Sequence, residues 1–206
     1  GIPHNPIPKT NNDLKLRGPG DTDIFIGPHM PLPKDKVRHV GEAVAMVVAE
    51  TRHQAQDAAE VLEIEYEELP WVTDTAAAAE ANGPTVWEQS PANTPVDTVF
   101  GDRVATDAAF ARATHVVKMD FHVGRVTGVP LEPRSALAVP DPKTGGITLY
   151  AGSGGAVRQK QEITETLGLE ADDLQVVSKD VGGNFGTRNR VYVEFPLVIH
   201  AAKTLG

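Results

Sequence analysis

The sequence predicts an α+β fold, and three observations carry that prediction. Near the front, a continuous apolar run, a stretch of helical spacing and a stretch of two-residue alternation follow one another within about 30 residues, a compact strand–helix–strand unit. In the back half, "RSALAVPDPKTGGITLYAG" reads as two strands around a Pro/Gly turn, a hairpin signal. Two glycine clusters, "AGSGGAVRQ" and "DVGGNFGTRNR", each lie between a strand-like run and a helix-like run.

The elements follow in order. The proline-rich first 36 residues read as extended loop. In "VRHVGEAVAMVVAE" (37–50) the apolar stretch Ala43 to Ala49 has the character of a buried strand. Thr51 followed by Gln54 fits a capping box, and Ala55, Ala58, Ala59 and Leu62 recur at helical spacing. From there Leu62, Ile64 and Tyr66 alternate with Glu63, Glu65 and Glu67, a half-exposed strand closed by Pro70. An alanine-rich helix is expected at 75–81, and "NGPTVWEQSPANTPVD" is the best linker. "ATDAAFARA" is a short helix with Thr106 or Asp107 as its cap, and "HVVKMDFHVGRV" alternates like a strand. "AVRQKQEITETLGLE" is an amphipathic helix with Val157, Ile163 and Leu167 on one face and Gly168 at its end. "DLQVVSKD" is a strand, and "EFPLVIHAAKTLG" a helix with Pro196 in its first turn and Gly206 past its end. The chain opens in a loop and closes at a helix end, so it is expected to be a piece of a longer polypeptide.

Composition excludes several function classes. A net charge of −9 over 206 residues, with no basic cluster, disfavours nucleic acid and anionic membrane surfaces as partners. No apolar run approaches the roughly 20 residues that span a bilayer, and the first residues lack a signal pattern, so a cytoplasmic location is expected. With no cysteine there is no disulfide, thiolate zinc site or thiolate-held iron–sulfur cluster, and the seven His show no metal-binding spacing. Trp71 and Trp87 read as packing residues, "EIEYEELP" as a solvated face, and His39, His53, His115, His122 and His200 as surface or satisfied side chains.

The glycine clusters are where chemistry is expected. Gly182, Gly183 and Gly186 permit left-handed dihedrals and close approach to the backbone N–H groups, a nest that favours an anionic or oxo-bearing ligand, with Arg188 able to add charge-assisted bonds. The loop is neither Walker A nor GxGxxG. An ordinary tight turn with a Phe plug fits the spacing equally well. Two strand–loop–helix units would present both loops at one sheet edge, where open α/β sheets bind ligands.

"VGEAVAMVVAETRHQAQDAAEVLEIEYEELP", "VPLEPRSALAVPDP" and "GSGGAVRQKQEITETLGLEADDLQVVSKDVGGNFGTR" together resemble the molybdopterin-binding large subunits of the molybdenum hydroxylase family, which includes xanthine dehydrogenase, aldehyde oxidase and aerobic carbon monoxide dehydrogenase. The likeness runs from about Val37 to Gly206. It implies an α/β hammerhead domain over 1–75, a linker region over 76–108 and the first part of a molybdopterin-binding domain over 109–206. The family's GGxFGxK loop corresponds to Gly182, Gly183, Asn184, Phe185, Gly186, Thr187 and Arg188, an Arg standing where Lys is common. Ser153, Gly154 and Gly155 match a second loop flanking the cofactor. Glu132, Pro133 and Arg134 match the "LEPR" segment, for which a buried Glu–Arg pair fixing the loop is expected.

The cofactor so implied is molybdopterin with molybdenum, in the cytosine dinucleotide form of bacterial relatives. The implied partners are an iron–sulfur subunit, an FAD subunit, the rest of the large subunit and a small-molecule substrate, in a dimer of the assembled complex. The implied reaction is oxidation of an aldehyde or N-heterocycle with water as oxygen source. Three departures narrow this. Gly124 to Val129 lacks the Gln that many relatives carry there, Asn189 replaces the Glu of purine-oxidising members, and the Cys loop of carbon monoxide enzymes is absent. The family's general base, a downstream Glu, lies outside these residues, so no catalytic residue is assigned and the isolated chain is expected to be inactive. A non-catalytic scaffold keeping the family fold is the alternative.

Overall fold

The computed structural model describes Pro6, Ile7 and residues 15–206. His4 and most of the proline-rich start lie outside the described residues. The chain divides into two compact units, one formed by Pro6, Ile7, Gly27–Pro70 and Gly128–Gly206, the other by residues 15–26 and Trp71–Thr127.

The first unit contains the expected hairpin. β3 (Ala136–Pro140) and β4 (Ile147–Ala151) pair antiparallel, and β4 pairs in parallel with β5 (Leu174–Val177), giving the order β3-β4-β5. The parallel pair is joined through α4 (Ala156–Leu167), and α5 (Glu194–Leu205) follows β5. The two-residue side-chain period sorts the faces. Ile147, Leu149 and Ala151 are buried with Ala136 and Ala138 beside them, while Leu137, Val139 and Tyr150 are exposed on the other face. α4 packs on β5, α5 on β3 and β4, and the helices touch each other. Leu149, Ile163, Leu174, Phe195 and Ile199 are essentially inaccessible, each worth about 1.5–3 kcal/mol of apolar burial. Gly168 ends α4 in the left-handed region at φ 63°, as a C-cap glycine should.

Two details of α4 and its neighbours differ from expectation. Val157 is exposed, because six residues before Ile163 is a rotation of about 240° on a helix. The buried stripe is instead Gln159, Glu162, Ile163 and Thr166. In the front part, α1 (Arg52–Glu60) begins with the predicted capping box, Thr51 Oγ1 accepting from the Gln54 N–H while the Gln54 side chain takes the Thr51 N–H. The flanking strands are another matter. Neither 43–49 nor 62–67 forms a strand among the described residues. Ala43, residues 45–49 and residues 136–138 instead line one apolar groove of about 690 Å³, and Leu62, Ile64 and Tyr66 are exposed. An alternating pattern states which face a strand would bury, but a strand exists only where a second backbone takes its hydrogen bonds.

In the second unit, β1 (Arg17–Gly18) and β2 (Thr22–Asp23) form a short antiparallel pair, tied by ion pairs from Arg17 to Asp21 and Asp23. α2 (Thr75–Ala78) is capped by Asp74. The stretch read as a linker is folded around Asn93, whose side-chain amide donates to the Ala78 and Pro84 carbonyls at 2.8 Å each and accepts from the Val86 N–H. Trp87 packs against Phe25, ring centroids 5.7 Å apart. α3 (Arg103–Arg112) is capped by Asp102, not by Thr106 or Asp107. Asp107 lies inside the helix and pairs with Arg103 at 2.9 Å, so the helix starts a turn earlier than expected. The run 115–126 is likewise without strand structure, and Val117, Met119, Phe121 and Val123 are exposed.

Candidate functional site

Because β4 and β5 are parallel, the loops that leave their carboxyl ends emerge on the same sheet edge. The first runs through Ser153, Gly154 and Gly155 into α4; the second runs from Val181 to Arg190. The sequence expectation that both glycine clusters share an edge is thus met.

Side chains and backbone lock the two loops together. Ser153 N–H donates to Ser178 Oγ at 3.0 Å, tying the first loop to the chain leaving β5, and Ser153 Oγ accepts the Gly155 N–H at 2.9 Å. Gly154 N–H donates to the Arg188 carbonyl at 2.9 Å, a direct bridge between the loops. A Cβ on Gly154 would lie 2.2 Å from Asn189 Oδ1 and 2.3 Å from Asn184 Nδ2, so a side chain here would displace the Asn184–Asn189 amide pair.

Within the second loop Asn184 is the organiser. Its Oδ1 accepts the Gly186 N–H at 2.8 Å, its Nδ2 donates to Asn189 Oδ1 at 3.0 Å, and its carbonyl accepts both the Thr187 N–H and the Thr187 hydroxyl. Phe185 sits in the left-handed region at φ 49° and the residue is 76 % exposed. It is therefore not a plug in a tight turn. Gly183, at φ 115°, supplies a dihedral that side-chain-bearing residues avoid.

Arg188 departs from its expected role. It is buried, and its guanidinium turns inward: Nη1 donates to Glu132 Oε2 at 2.8 Å and Nη2 to the Glu132 carbonyl. The same Glu132 Oε2 accepts the Gly182 N–H. These bonds, the Gly182 N–H first and the Arg188 guanidinium second, hold the Glu132 carboxyl below its ordinary pKa. The guanidinium also lies against Gly152, where a Cβ would meet Nη1 at 2.9 Å. A buried Glu–Arg pair was expected in the "LEPR" segment itself. Instead Glu132 pairs across 56 residues with Arg188, while Arg134 pairs with Glu194 at 2.6 Å and stacks 3.9 Å over the Tyr192 ring. The partner of Glu132 was not legible because the pairing is set by the fold, not by local spacing.

The lock leaves donors free. Among the described residues, the backbone N–H groups of Gly183, Asn184 and Phe185 have no acceptor, and neither do those of Ala156, Val157 and Arg158 in the first turn of α4, which has no side-chain cap. Arg188 Nε is buried without a partner. Backbone donors at a helix N-terminus and in a glycine nest suit negatively charged oxygens. The donor set therefore fits a phosphate- and oxo-bearing cofactor of the molybdopterin type, and every sequence-assigned residue from 153–155 and 182–188 belongs to this one edge.

Sequence reasoning missed Glu162, Arg190, Ser178 and Gly152. Glu162 could have been found, since it flanks Ile163 on the stripe that contains Gln159 and Thr166; a carboxylate on a buried helix face demands a cation.

Comparison with known proteins gives the site its context. Residues 86–206 match the family model of the molybdopterin cofactor-binding domain, and residues 5–70 match that of the aldehyde oxidase and xanthine dehydrogenase a/b hammerhead domain. The nicotine 6-hydroxylase large subunit of Paenarthrobacter nicotinovorans is 36 % identical over 179 residues, covering 85 % of this chain and 21 % of that protein. The carbon monoxide dehydrogenase large chain of Hydrogenophaga pseudoflava is 33 % identical over 187 residues, covering 85 % and 23 %. Among solved structures, a Cu,Mo carbon monoxide dehydrogenase superposes with TM-score 0.77 at 29 % identity, over 94 % of this chain and 25 % of that one. Quinoline 2-oxidoreductase from Pseudomonas putida 86 gives TM-score 0.75 at 30 % identity, over 93 % and 24 %. The chain spans about a fifth of the length of the curated relatives it matches. No helix among the described residues is long and apolar enough to cross a membrane. With 86–206 carrying the one domain and 5–70 the other, the chain belongs to the molybdopterin-binding family of the aldehyde oxidase and xanthine dehydrogenase type.

Proposed function

We propose that the chain is part of the molybdopterin-binding large subunit of a molybdenum hydroxylase that oxidises an aldehyde or an N-heterocycle with water as the oxygen source. The observation that carries this reading is the edge just described: two locked loops that leave the N–H groups of residues 183–185 and 156–158 free. When bound, molybdopterin with its molybdenum supplies the two-electron redox centre. What the chain supplies is position. Ser153, Gly154 and Gly155 set the entry of α4 so that its first-turn donors face outward. Gly182, Gly183, Asn184, Phe185, Gly186 and Thr187 form a nest whose shape is fixed by the Asn184 side chain. Arg188 acts from behind by holding Glu132, and the exposed Phe185 ring offers an apolar surface that excludes water.

The same reading assigns residues 1–75 to a hammerhead domain, 76–108 to the connecting region and 109–206 to the first part of the pterin-binding domain. It takes the cytosine dinucleotide as the pterin form, an iron–sulfur and an FAD subunit as partners, and the cytoplasm as location; the chain has no cysteine with which to hold a thiolate-bound cluster of its own. Asn189 in place of Glu disfavours purines. The test is molybdenum content, by mass spectrometry of the metal, together with pterin analysis of the native complex captured through this chain. About one molybdenum per copy of this chain, with iron and a longer parent polypeptide, is expected for one active site in each. Absence of both metal and pterin from the native complex overturns the reading.

A further inference from the structure

Glu162 is a carboxylate with 7 % of its side chain exposed, on the inner face of α4, and nothing in the proposed chemistry uses it. Its oxygens are fully engaged. Oε1 accepts from Arg158 Nε at 3.0 Å and from Arg190 Nε at 2.9 Å, and Oε2 accepts the Val191 N–H at 3.2 Å. Those partners are not scattered. Arg158 lies in the first turn of α4, three residues after Gly155; Arg190 and Val191 follow directly on Arg188 and Asn189. One buried charge therefore joins the helix that grows out of the first glycine loop to the chain that leaves the second.

We infer that Glu162 is the positioning residue that sets the spacing of the two cofactor-facing loops, acting through Arg158 on the 153–155 side and through Arg190 and Val191 on the 182–188 side. The inference rests on the proposed function for what the loops hold, but the coupling itself belongs to this chain. The loops already touch at the outer edge, where Gly154 N–H meets the Arg188 carbonyl and Asn184 meets Asn189. Those are single bonds between uncharged groups, made by the exposed or half-exposed residues Gly154, Asn184 and Asn189. The Glu162 contacts lie behind them, desolvated on the carboxylate side and charge-assisted, and a buried carboxylate bonded in this way is the stronger constraint. Removing its charge leaves Arg158 and Arg190 facing each other across a neutral group, two like charges with no anion between them. The 188–191 segment then loses the contact that fixes its distance from α4, and the nest in front of it loosens with it.

The decisive experiment uses the full-length parent polypeptide in its native complex, with Glu162→Gln and Glu162→Asp as variants. Amide hydrogen exchange of the cofactor-free form is read peptide by peptide, and the half-time of pterin loss is read on the loaded form. For Glu162→Gln we expect exchange over 182–191 to rise and pterin loss to accelerate about 10-fold, the scale on which supporting contacts act, while β4 and β5 stay protected even where the melting temperature falls. Glu162→Asp keeps the charge and recovers part of the retention. If wild type retains pterin and Glu162→Gln retains it equally with unchanged exchange at 182–191, the positioning role is wrong and the proposed function stands. A fall in melting temperature with exchange rising evenly over α4, β4 and β5 also overturns it, because that is the signature of a merely structural group. Wild type without any pterin removes the proposed function, and the role toward a cofactor goes with it. Should Glu162→Gln fail to accumulate, Arg190→Gln breaks the same tie on its more exposed side and is read by the same criteria.

Discussion

Replacing Gly182 by Ala tests whether the Glu132–Gly182–Arg188 clamp holds the second loop. A Cβ at this position would lie 2.5 Å from the Glu132 Cβ and 3.0 Å from Oε2. Ordinary carbon–carbon contact begins at about 3.5 Å, so the 130–132 segment has to retreat by roughly 1 Å. The obstructing atom is next to the backbone and cannot swing aside as a side-chain tip would. Retreat lengthens both bonds that Glu132 Oε2 accepts, from Gly182 N–H and from Arg188 Nη1. Bonds to a charged group contribute about 1.5–3 kcal/mol each, and weakening both leaves a buried guanidinium less well compensated. Glu132 keeps 39 % of its side chain in solvent, so its own share is screened, and the cost falls on the Arg188 guanidinium, 3 % exposed and left with weakened partners, about 2–4 kcal/mol. For a domain of this size that corresponds to a drop of roughly 5–15 °C in melting temperature. The assay is thermal unfolding of the chain followed by circular dichroism, with Gly182→Ala, Arg188→Ala and the double variant. If the clamp is one unit, the double variant is less destabilised than the sum of the singles. A Gly182→Ala protein within about 0.5 kcal/mol of the parent, or strict additivity with Arg188→Ala, refutes the clamp.

Four further outcomes follow from the same structure. Glu132 has a folded pKa below its ordinary 4.5, so its contribution is present above that value and lost as pH falls through the folded one; urea midpoints measured across about pH 3 to 6 should decline toward acid, and Glu132→Gln should flatten part of that slope. Asp141, likewise lowered by the Lys143 N–H and the Thr144 hydroxyl, accounts for another part, which Asp141→Asn should remove separately. Ile163→Ala empties a fully buried position between α4 and the sheet and should cost about 2–5 kcal/mol in denaturant unfolding. Thr51→Ala removes the capping box of α1 at a cost of about 1 kcal/mol, read as faster amide exchange over 52–60 with β3–β5 unaffected.

Much of the back half was legible because its signals are local. The Pro/Gly turn fixed the β3–β4 hairpin, Gly168 stopped α4, and the strand–glycine–helix order predicted both loops. The front half was legible only as pattern. Ala43–Ala49 and Leu62–Tyr66 have the right periodicity, yet neither segment is a strand, since pairing depends on a second backbone and not on the sequence of the first. The same holds for 115–126. At the site, glycine spacing marked the two loops and the family resemblance assigned their residues, whereas the direction of Arg188, the partner of Glu132 and the part played by Glu162 were not legible. Arg188 and Glu132 are 56 residues apart and Glu162 and Val191 29, and only the folded chain brings them within reach.

The self-contained bonding of Asn184 has a consequence for affinity. Its side-chain amide and carbonyl already fix the neighbouring amides of Gly186 and Thr187, and a non-glycine residue at 185 is held in the left-handed region before anything arrives. Fixing a residue's backbone costs about 1–2 kcal/mol in conformational entropy. Here that cost is met during folding, so a partner meeting this edge has only its own freedom to lose, and binding strength is set by how well its oxygens match amides that are already in place.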